Sequence, residues 1–308
     1  MNLETNTHPF FQHLENYQEF LPDFRGYLTH LKEHFPTYLR INTLKISVEE
    51  AEKFLTRDGA ILRSTAVPEI FQLSPSCKVP SLSYHLGFIY PQALTSAMPV
   101  LAMELQGGER VLDLCAAPGG KTGYMAQVMK DNGVIVANDR KLGRIISLMS
   151  NLKRLGITSA VVIQSRGEQL TWSHPFDRIL VDAPCSGEGK YRIDAETGRL
   201  LHARRGRTNL SAIQKALIQR GFDLLEPGGI MIYSTCTLTP EENEEVVAHL
   251  LKKRKAALVQ WKPPVESSPG LEEYRGKRYG KELGLAHRFY PHKVNSVGFF
   301  LAKIVKPK

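Results

Sequence analysis

A chain of 308 residues with 42% apolar side chains is long enough for one large α/β domain and a smaller companion, each with its own core. Its 40 Lys and Arg against 31 Asp and Glu leave a formal charge of +9, which favours a polyanionic partner. Four cysteines without regular close spacing argue against a disulfide framework and a C-x-x-C zinc site, and no metal is expected. No apolar run approaches the roughly 20 residues that span a bilayer, and Met1 to Gln12 lack the basic start and apolar stretch of a leader. A soluble protein of the reducing cytoplasm, without membrane contact, is expected.

In chain order, Phe10 to Leu31 is aromatic-rich and reads as helix, ending before Pro36. A short extended run, Tyr38 to Asn42, precedes a helix opened by Ser47-Val48-Glu49-Glu50, where Ser47 and Glu50 can form a capping box. Further β-like runs lie around Ile61 and Phe71 and at Gly87 to Tyr90. These compose a small α/β unit, residues 1–95. Its Arg25, Lys32, Arg40, Lys45, Lys53, Arg57, Arg63 and Lys78 alternate with Phe and Tyr, a pattern that suits nucleic acid and equally an ordinary solvated surface.

From Glu109 onward β-like and helical runs alternate, the pattern of a parallel sheet covered on both faces. The expected strands are Arg110 to Leu114, Val134 to Asn138, Ala160 to Ile163, Phe176 to Val181 and Ile230 to Tyr233; the expected helices are Thr122 to Lys130, Leu142 to Leu155 and Leu210 to Leu225. Glu226-Pro227-Gly228-Gly229 stops the last helix, and Gly298 to Val305 reads as a late antiparallel strand.

The first βα turn is Asp113-Leu114-Cys115-Ala116-Ala117-Pro118-Gly119-Gly120-Lys121-Thr122. Its small residues admit a ligand close to the backbone, and the following helix offers free amides. A P-loop is excluded because Cys115 stands where its first glycine belongs, and glycines at 119, 120 and 123 are out of register for a dinucleotide fingerprint. A small nucleoside ligand remains. Asp139, after the second strand, is placed either to accept from a ribose diol or to cap the next helix.

Two cysteines follow apolar runs that read as central strands: Cys185 in Asp182-Ala183-Pro184-Cys185-Ser186-Gly187, and Cys236 in Tyr233-Ser234-Thr235-Cys236-Thr237. In an open α/β sheet both thiols would face the crevice beyond the strands' carboxyl ends. A thiol pair there, in a basic protein, points to covalent catalysis on a nucleic-acid base.

Asp113 to Thr122, Asp139 with Arg144, and the two cysteine motifs together resemble the Sun/Fmu (Nop/Sun) family of S-adenosylmethionine-dependent RNA cytosine methyltransferases. The resemblance extends to Arg40-Ile41-Asn42-Thr43-Leu44 and to Gly298-Phe299-Phe300-Leu301-Ala302, leaving residues 1–35 outside any motif. It implies a class I methyltransferase fold, Rossmann-like and doubly wound with the late antiparallel strand, over residues 96–308, and an RNA-recognition-motif-like N-terminal domain. It also implies S-adenosylmethionine held by Cys115, Ala116, Ala117, Pro118, Gly119, Gly120 and Lys121, with Asp139, Arg144 and Asp182. Cys236 is then the nucleophile that adds to carbon 6 of cytosine, and Cys185 assists product release.

Asp182 either hydrogen-bonds the target cytosine or caps its own turn, and Lys121 either reaches the base or solvates the helix start. Cys115 reads as a loop-packing residue and Cys77 as structural. Where the family carries an acid followed by glycine after the third strand, this chain has Ser165-Arg166-Gly167-Glu168, so either Glu168 or backbone alone holds the adenine. Arg192, Arg199, Arg204, Arg205 and Arg207 follow the Pro-Cys motif and suit phosphate contacts and base stacking, or form a surface loop that orders only on RNA. The implied partner is rRNA or tRNA, met by a monomer. The rival readings are a non-catalytic RNA-binding ribosome assembly factor, a DNA cytosine methyltransferase and a nicotinamide oxidoreductase.

Overall fold

The structure, a computed structural model, describes residues 14–194, 200–201 and 210–308. Met1 to Gln12 and four of the loop arginines, Arg199, Arg204, Arg205 and Arg207, lie outside the described residues. The single helix expected up to Leu31 is instead broken. A 3-10 turn at Asn16–Glu19 gives way to α1 (Phe24–His30). Pro22 has no amide hydrogen to continue a helix, and Asp23, at φ 52°, starts a new one by accepting from the Gly26 amide at 3.0 Å.

The next elements are β1 (Thr37–Ile41), α2 (Val48–Arg57), β2 (Leu62–Ser64), β3 (Ile70–Leu73) and β4 (Ile89–Pro91). The strands form an antiparallel sheet in the order β2-β3-β1-β4, and α2 begins at the expected capping box between Ser47 and Glu50. Alternate residues of β1 divide between two cores. Leu39 and Ile41 pack with Ala51, Leu55, Phe71 and Leu73, whereas Tyr38 joins Ile70 against the larger domain.

Of the basic residues expected on this unit's surface, Arg25, Lys32, Lys45, Lys53, Arg57, Arg63 and Lys78 are exposed and Arg40 is not. Arg40 is fully buried at the joint with the larger domain. It donates to Gln92 at 3.0 Å and to Gln127, and its guanidinium lies 4.8 Å from the Tyr124 ring. Asn42 donates to the carbonyls of Gly87 and Leu155, both at 2.9 Å. Lys45 caps the end of the helix that carries Leu155 by donating to the Arg154 carbonyl at 2.8 Å. The Arg-Ile-Asn run therefore joins the two units.

The larger domain is built from β5 (Arg110–Asp113), α3 (Gly120–Val128), β6 (Val134–Asp139), α4 (Leu142–Leu155), β7 (Ala160–Gln164), β8 (Phe176–Asp182), α5 (Leu210–Leu224), β9 (Leu225–Thr235), α6 (Glu244–Lys253), β10 (His287–Phe289) and β11 (Phe299–Val305). Its sheet runs β7-β6-β5-β8-β9-β11-β10, parallel from β7 to β9, with β11 antiparallel to β9 as expected. Both faces are buried, so the strands alternate between two apolar cores: Leu112, Val136, Ile179 and Tyr233 on one side, Val111, Ile135, Leu180 and Ile232 on the other. The expected turn at Glu226 to Gly229 appears as a register shift within β9, with Gly228 at φ 84°. No described helix is long and apolar enough to cross a membrane.

Candidate active site

The parallel pairing of β8 with β9 sets Asp182 opposite Ser234, and so brings the loops that follow them to the same edge. Three residues beyond Asp182 stands Cys185, and two beyond Ser234 stands Cys236. Their sulfurs are 3.3 Å apart. The hydrogen bond from Cys185 lowers the pKa of Cys236 against the opposing effect of burial, with help from Lys190 and Lys121. Cys185 moves upward, first through that same hydrogen bond and then through burial. Cys236 is thereby the more acidic of the two thiols.

Asp182 ties three elements together. One carboxylate oxygen accepts from Lys121 Nζ at 2.7 Å and the other from Ser234 Oγ at 2.9 Å. Burial works against the charge of Lys121, but the adjacent Asp182 more than offsets it and holds the ammonium above its ordinary range. That ammonium also lies 5.3 Å from the Phe299 ring.

The glycine turn follows β5 as expected. Asp113 is buried, accepts from Thr122 Oγ1 at 2.7 Å, and is pushed up to about 7 by burial. Gly119, at φ 101°, is the N-cap of α3 and supplies no side-chain cap to the helix's first amides. Cys115 is half-buried and packs against the core, and burial pushes its thiol pKa up.

At the end of β6, Asp139 accepts from the Lys141 amide at 3.0 Å, although the N-cap of α4 is Lys141 itself. Its Oδ2 is enclosed, ion-paired with Arg144 at 3.0 Å, yet makes no hydrogen bond among the described residues. Arg144 reaches across to the Ala117 carbonyl and so fastens α4 to the glycine turn. Glu168 is held by Arg166 at 2.9 Å.

One expectation changes. Arg192 is no phosphate contact: it is buried, bonded to His30 at 3.0 Å and stacked 3.4 Å from the Phe35 ring, so the start of the arginine loop is part of the interior. Nor did the sequence reading find the side chains that support the thiol loops. Glu242 accepts from the Ser186 amide at 3.1 Å and from Gln214 at 2.7 Å, while Gln214 also donates to the Pro184 carbonyl. Asn243 donates to the Thr237 carbonyl at 3.0 Å, and Ser186 and Thr237 hydroxyls meet at 2.8 Å. The available signal was Glu242-Asn243, a polar pair within seven residues of Cys236.

A family profile described as 16S rRNA methyltransferase RsmB/F matches residues 100–305. A tRNA (cytosine(49)-C(5))-methyltransferase of Pyrococcus abyssi is 35% identical over 96% of both chains. A methyltransferase homologue of Pyrococcus horikoshii, solved by crystallography, superposes with a TM-score of 0.82 at 33% identity over 98% of this chain and 96% of its own. The structure of NSun6 from the same organism with SFG gives 0.80 at 25% identity, over 96% and 97%. The chain spans less than half the length of the curated nematode, human, mouse and fission-yeast rRNA relatives that it matches. With the matched region covering the glycine turn and both thiol loops, the chain belongs to the 16S rRNA methyltransferase RsmB/F family, within the Sun/Fmu (Nop/Sun) group that its motifs resemble.

Proposed function

We propose that this protein methylates carbon 5 of a cytosine in rRNA or tRNA, with S-adenosylmethionine as methyl donor and Cys236 as nucleophile. The observation that carries the reading is the thiol pair, 3.3 Å apart and beside the Asp182–Lys121 ion pair. Carbon 5 of cytosine is too weak a nucleophile unaided; addition of the Cys236 thiolate to carbon 6 turns the ring into an enamine. Asp182 and Lys121 are the groups able to hold the base and steady the charge that moves into it. Once Cys236 is bonded to carbon 6, Cys185 loses its proton to solvent and, as thiolate, takes the carbon 5 proton; the electron pair left behind re-forms the 5,6 double bond and expels Cys236 as thiolate.

The donor's site is consistent with the residues present. Asp139, at the end of β6 and ion-paired with Arg144, which itself reaches the glycine turn, is the acid available there to a ribose hydroxyl. A Cβ on Gly119 would meet Leu148 and one on Gly120 the Tyr90 ring, so both glycines let the turn pack closely against its neighbours. S-adenosylmethionine supplies an electrophilic methyl on a sulfonium, and SFG, bound to the related archaeal structure, is an analogue of it. Residues 96–308 form the catalytic domain in this reading. Residues 1–95 present the exposed Lys53, Arg57 and Arg63 to RNA phosphates.

The test is a denaturing gel of protein incubated with RNA and S-adenosylmethionine. Cys185→Ala accumulates a protein–RNA conjugate because release fails, whereas Cys236→Ala forms none. A conjugate in Cys236→Ala alone reverses the two roles. Absence of reaction in the parent favours a non-catalytic RNA-binding protein.

A further inference from the structure

Residues 14–35 lie outside every motif of the chain, yet they pack directly on the two thiol loops. Leu14, Tyr17, Leu21, Tyr27 and Leu31 share one apolar cluster with Tyr191 and Ile193 from beyond Cys185, and with Leu238 from beyond Cys236. The contact is polar as well. Glu188, three residues after Cys185 and buried, accepts from the Tyr17 hydroxyl, from Thr239, and from Thr237 at 3.2 Å. The Gly189 amide donates to the Cys236 carbonyl at 3.0 Å, and the Ile193 amide to the Leu31 carbonyl at 2.7 Å.

Burying a carboxylate is costly unless donors surround it, so an apolar clasp alone would not place an acid here. Glu188 instead gathers three hydroxyls from two separate stretches of chain: the N-terminal segment through Tyr17, and the nucleophile's loop through Thr237 and Thr239. Its own backbone continues the Cys185 loop.

We infer that Tyr17 and Glu188 are positioning residues for the thiol pair: the N-terminal segment fixes the separation of Cys185 and Cys236 through a single buried carboxylate. The inference rests on Cys236 as the nucleophile, and adds to it a role for a segment outside the chain's motifs. Since the hydrogen bond from Cys185 is the leading cause of Cys236's lowered pKa, anything that loosens the loops returns Cys236 toward an ordinary thiol.

The experiment uses the full chain with Tyr17→Phe, which removes one hydroxyl and keeps the buried ring, and Thr239→Val, which removes another donor to the same carboxylate. The pH profile of Cys236 alkylation by iodoacetamide is read by peptide mass spectrometry, with kcat and KM measured beside it. Alkylation needs no methylation, so failure of the proposed activity is distinguished from failure of the positioning role. In each variant the alkylation profile moves up by about one pH unit, and kcat falls about tenfold while KM for RNA changes less than about twofold. The double variant loses less than the product of the two single effects, because both act through Glu188. An alkylation profile unchanged in Tyr17→Phe, with only thermal stability reduced, overturns the inference, as do two effects that simply multiply.

Discussion

Replacing Arg288 with Met tests whether the thiol loops depend on a buried ion pair. Arg288, on β10, and Glu244, at the start of α6, have side chains only 1% and 0% exposed. Arg288 Nε donates to one Glu244 oxygen at 2.6 Å and its Nη1 to the Leu238 carbonyl at 2.9 Å, two residues beyond Cys236. The substitution leaves Glu244 charged and without its cation in the interior, which costs about 3–5 kcal/mol. The lost bond to Leu238 adds about 1 kcal/mol, and the packing of the methionine stem between Phe20 and Phe300 returns part of the total. A net loss of about 4 kcal/mol is expected. Combining it with Glu244→Gln removes the stranded charge, so the double variant should be more stable than Arg288→Met by about 2 kcal/mol. Urea unfolding of the parent, both single variants and the double gives the four free energies at matched slope. If Arg288→Met costs under about 1 kcal/mol, or if the two single losses simply add, the ion pair is not what holds this corner of the sheet.

Asp139→Ala should weaken S-adenosylmethionine binding by about 1–3 kcal/mol, since ribose hydroxyls lose their acceptor; unchanged calorimetric affinity with the fold intact removes Asp139 from the cofactor site. Methylation should rise with pH as Cys236 ionises and level off below the ordinary thiol value of about 8.5, because its folded pKa is lowered. In Cys185→Ala, followed by adduct formation within a single turnover, the same rise should move to higher pH; a profile identical to the parent's denies Cys185 its hydrogen-bonding role.

The parallel strands were legible because each is a short apolar run bounded by turn residues, and both cysteine motifs sit where such runs end. Helix α4 was found at its full length, Leu142–Leu155, from its 3.6-residue period and the glycine that follows. The stretch between α6 and β10 was not legible: its strands, such as Glu273–Tyr274 and Lys277–Arg278, are two residues long and carry no period. Nor could the sequence distinguish arginines that meet phosphate from arginines that are buried. Arg40 and Arg192 owe their burial to partners far along the chain or on another element, Tyr124 and His30 among them. Acids in a loop likewise read as surface, and only the packing of α5 against the thiol loops makes Glu242 an internal acceptor for Gln214.

The pairing of Asp182 with Ser234 bears on how this chain can vary. Side chains along a strand alternate with a period of two, so one residue inserted within β8 or β9 would turn the downstream half of that strand inside out and carry its cysteine to the wrong side. The crossover between the two strands is constrained in its own way, since Tyr191 and Ile193 are buried and Leu217, Ile218 and Phe222 of α5 pack against the sheet. Insertions and deletions compatible with activity should be absent from Phe176–Cys185 and Ile230–Cys236. Neighbouring strands thus launch the two thiol loops side by side, and the contacts gathered at Glu188 trim the final distance between the sulfurs.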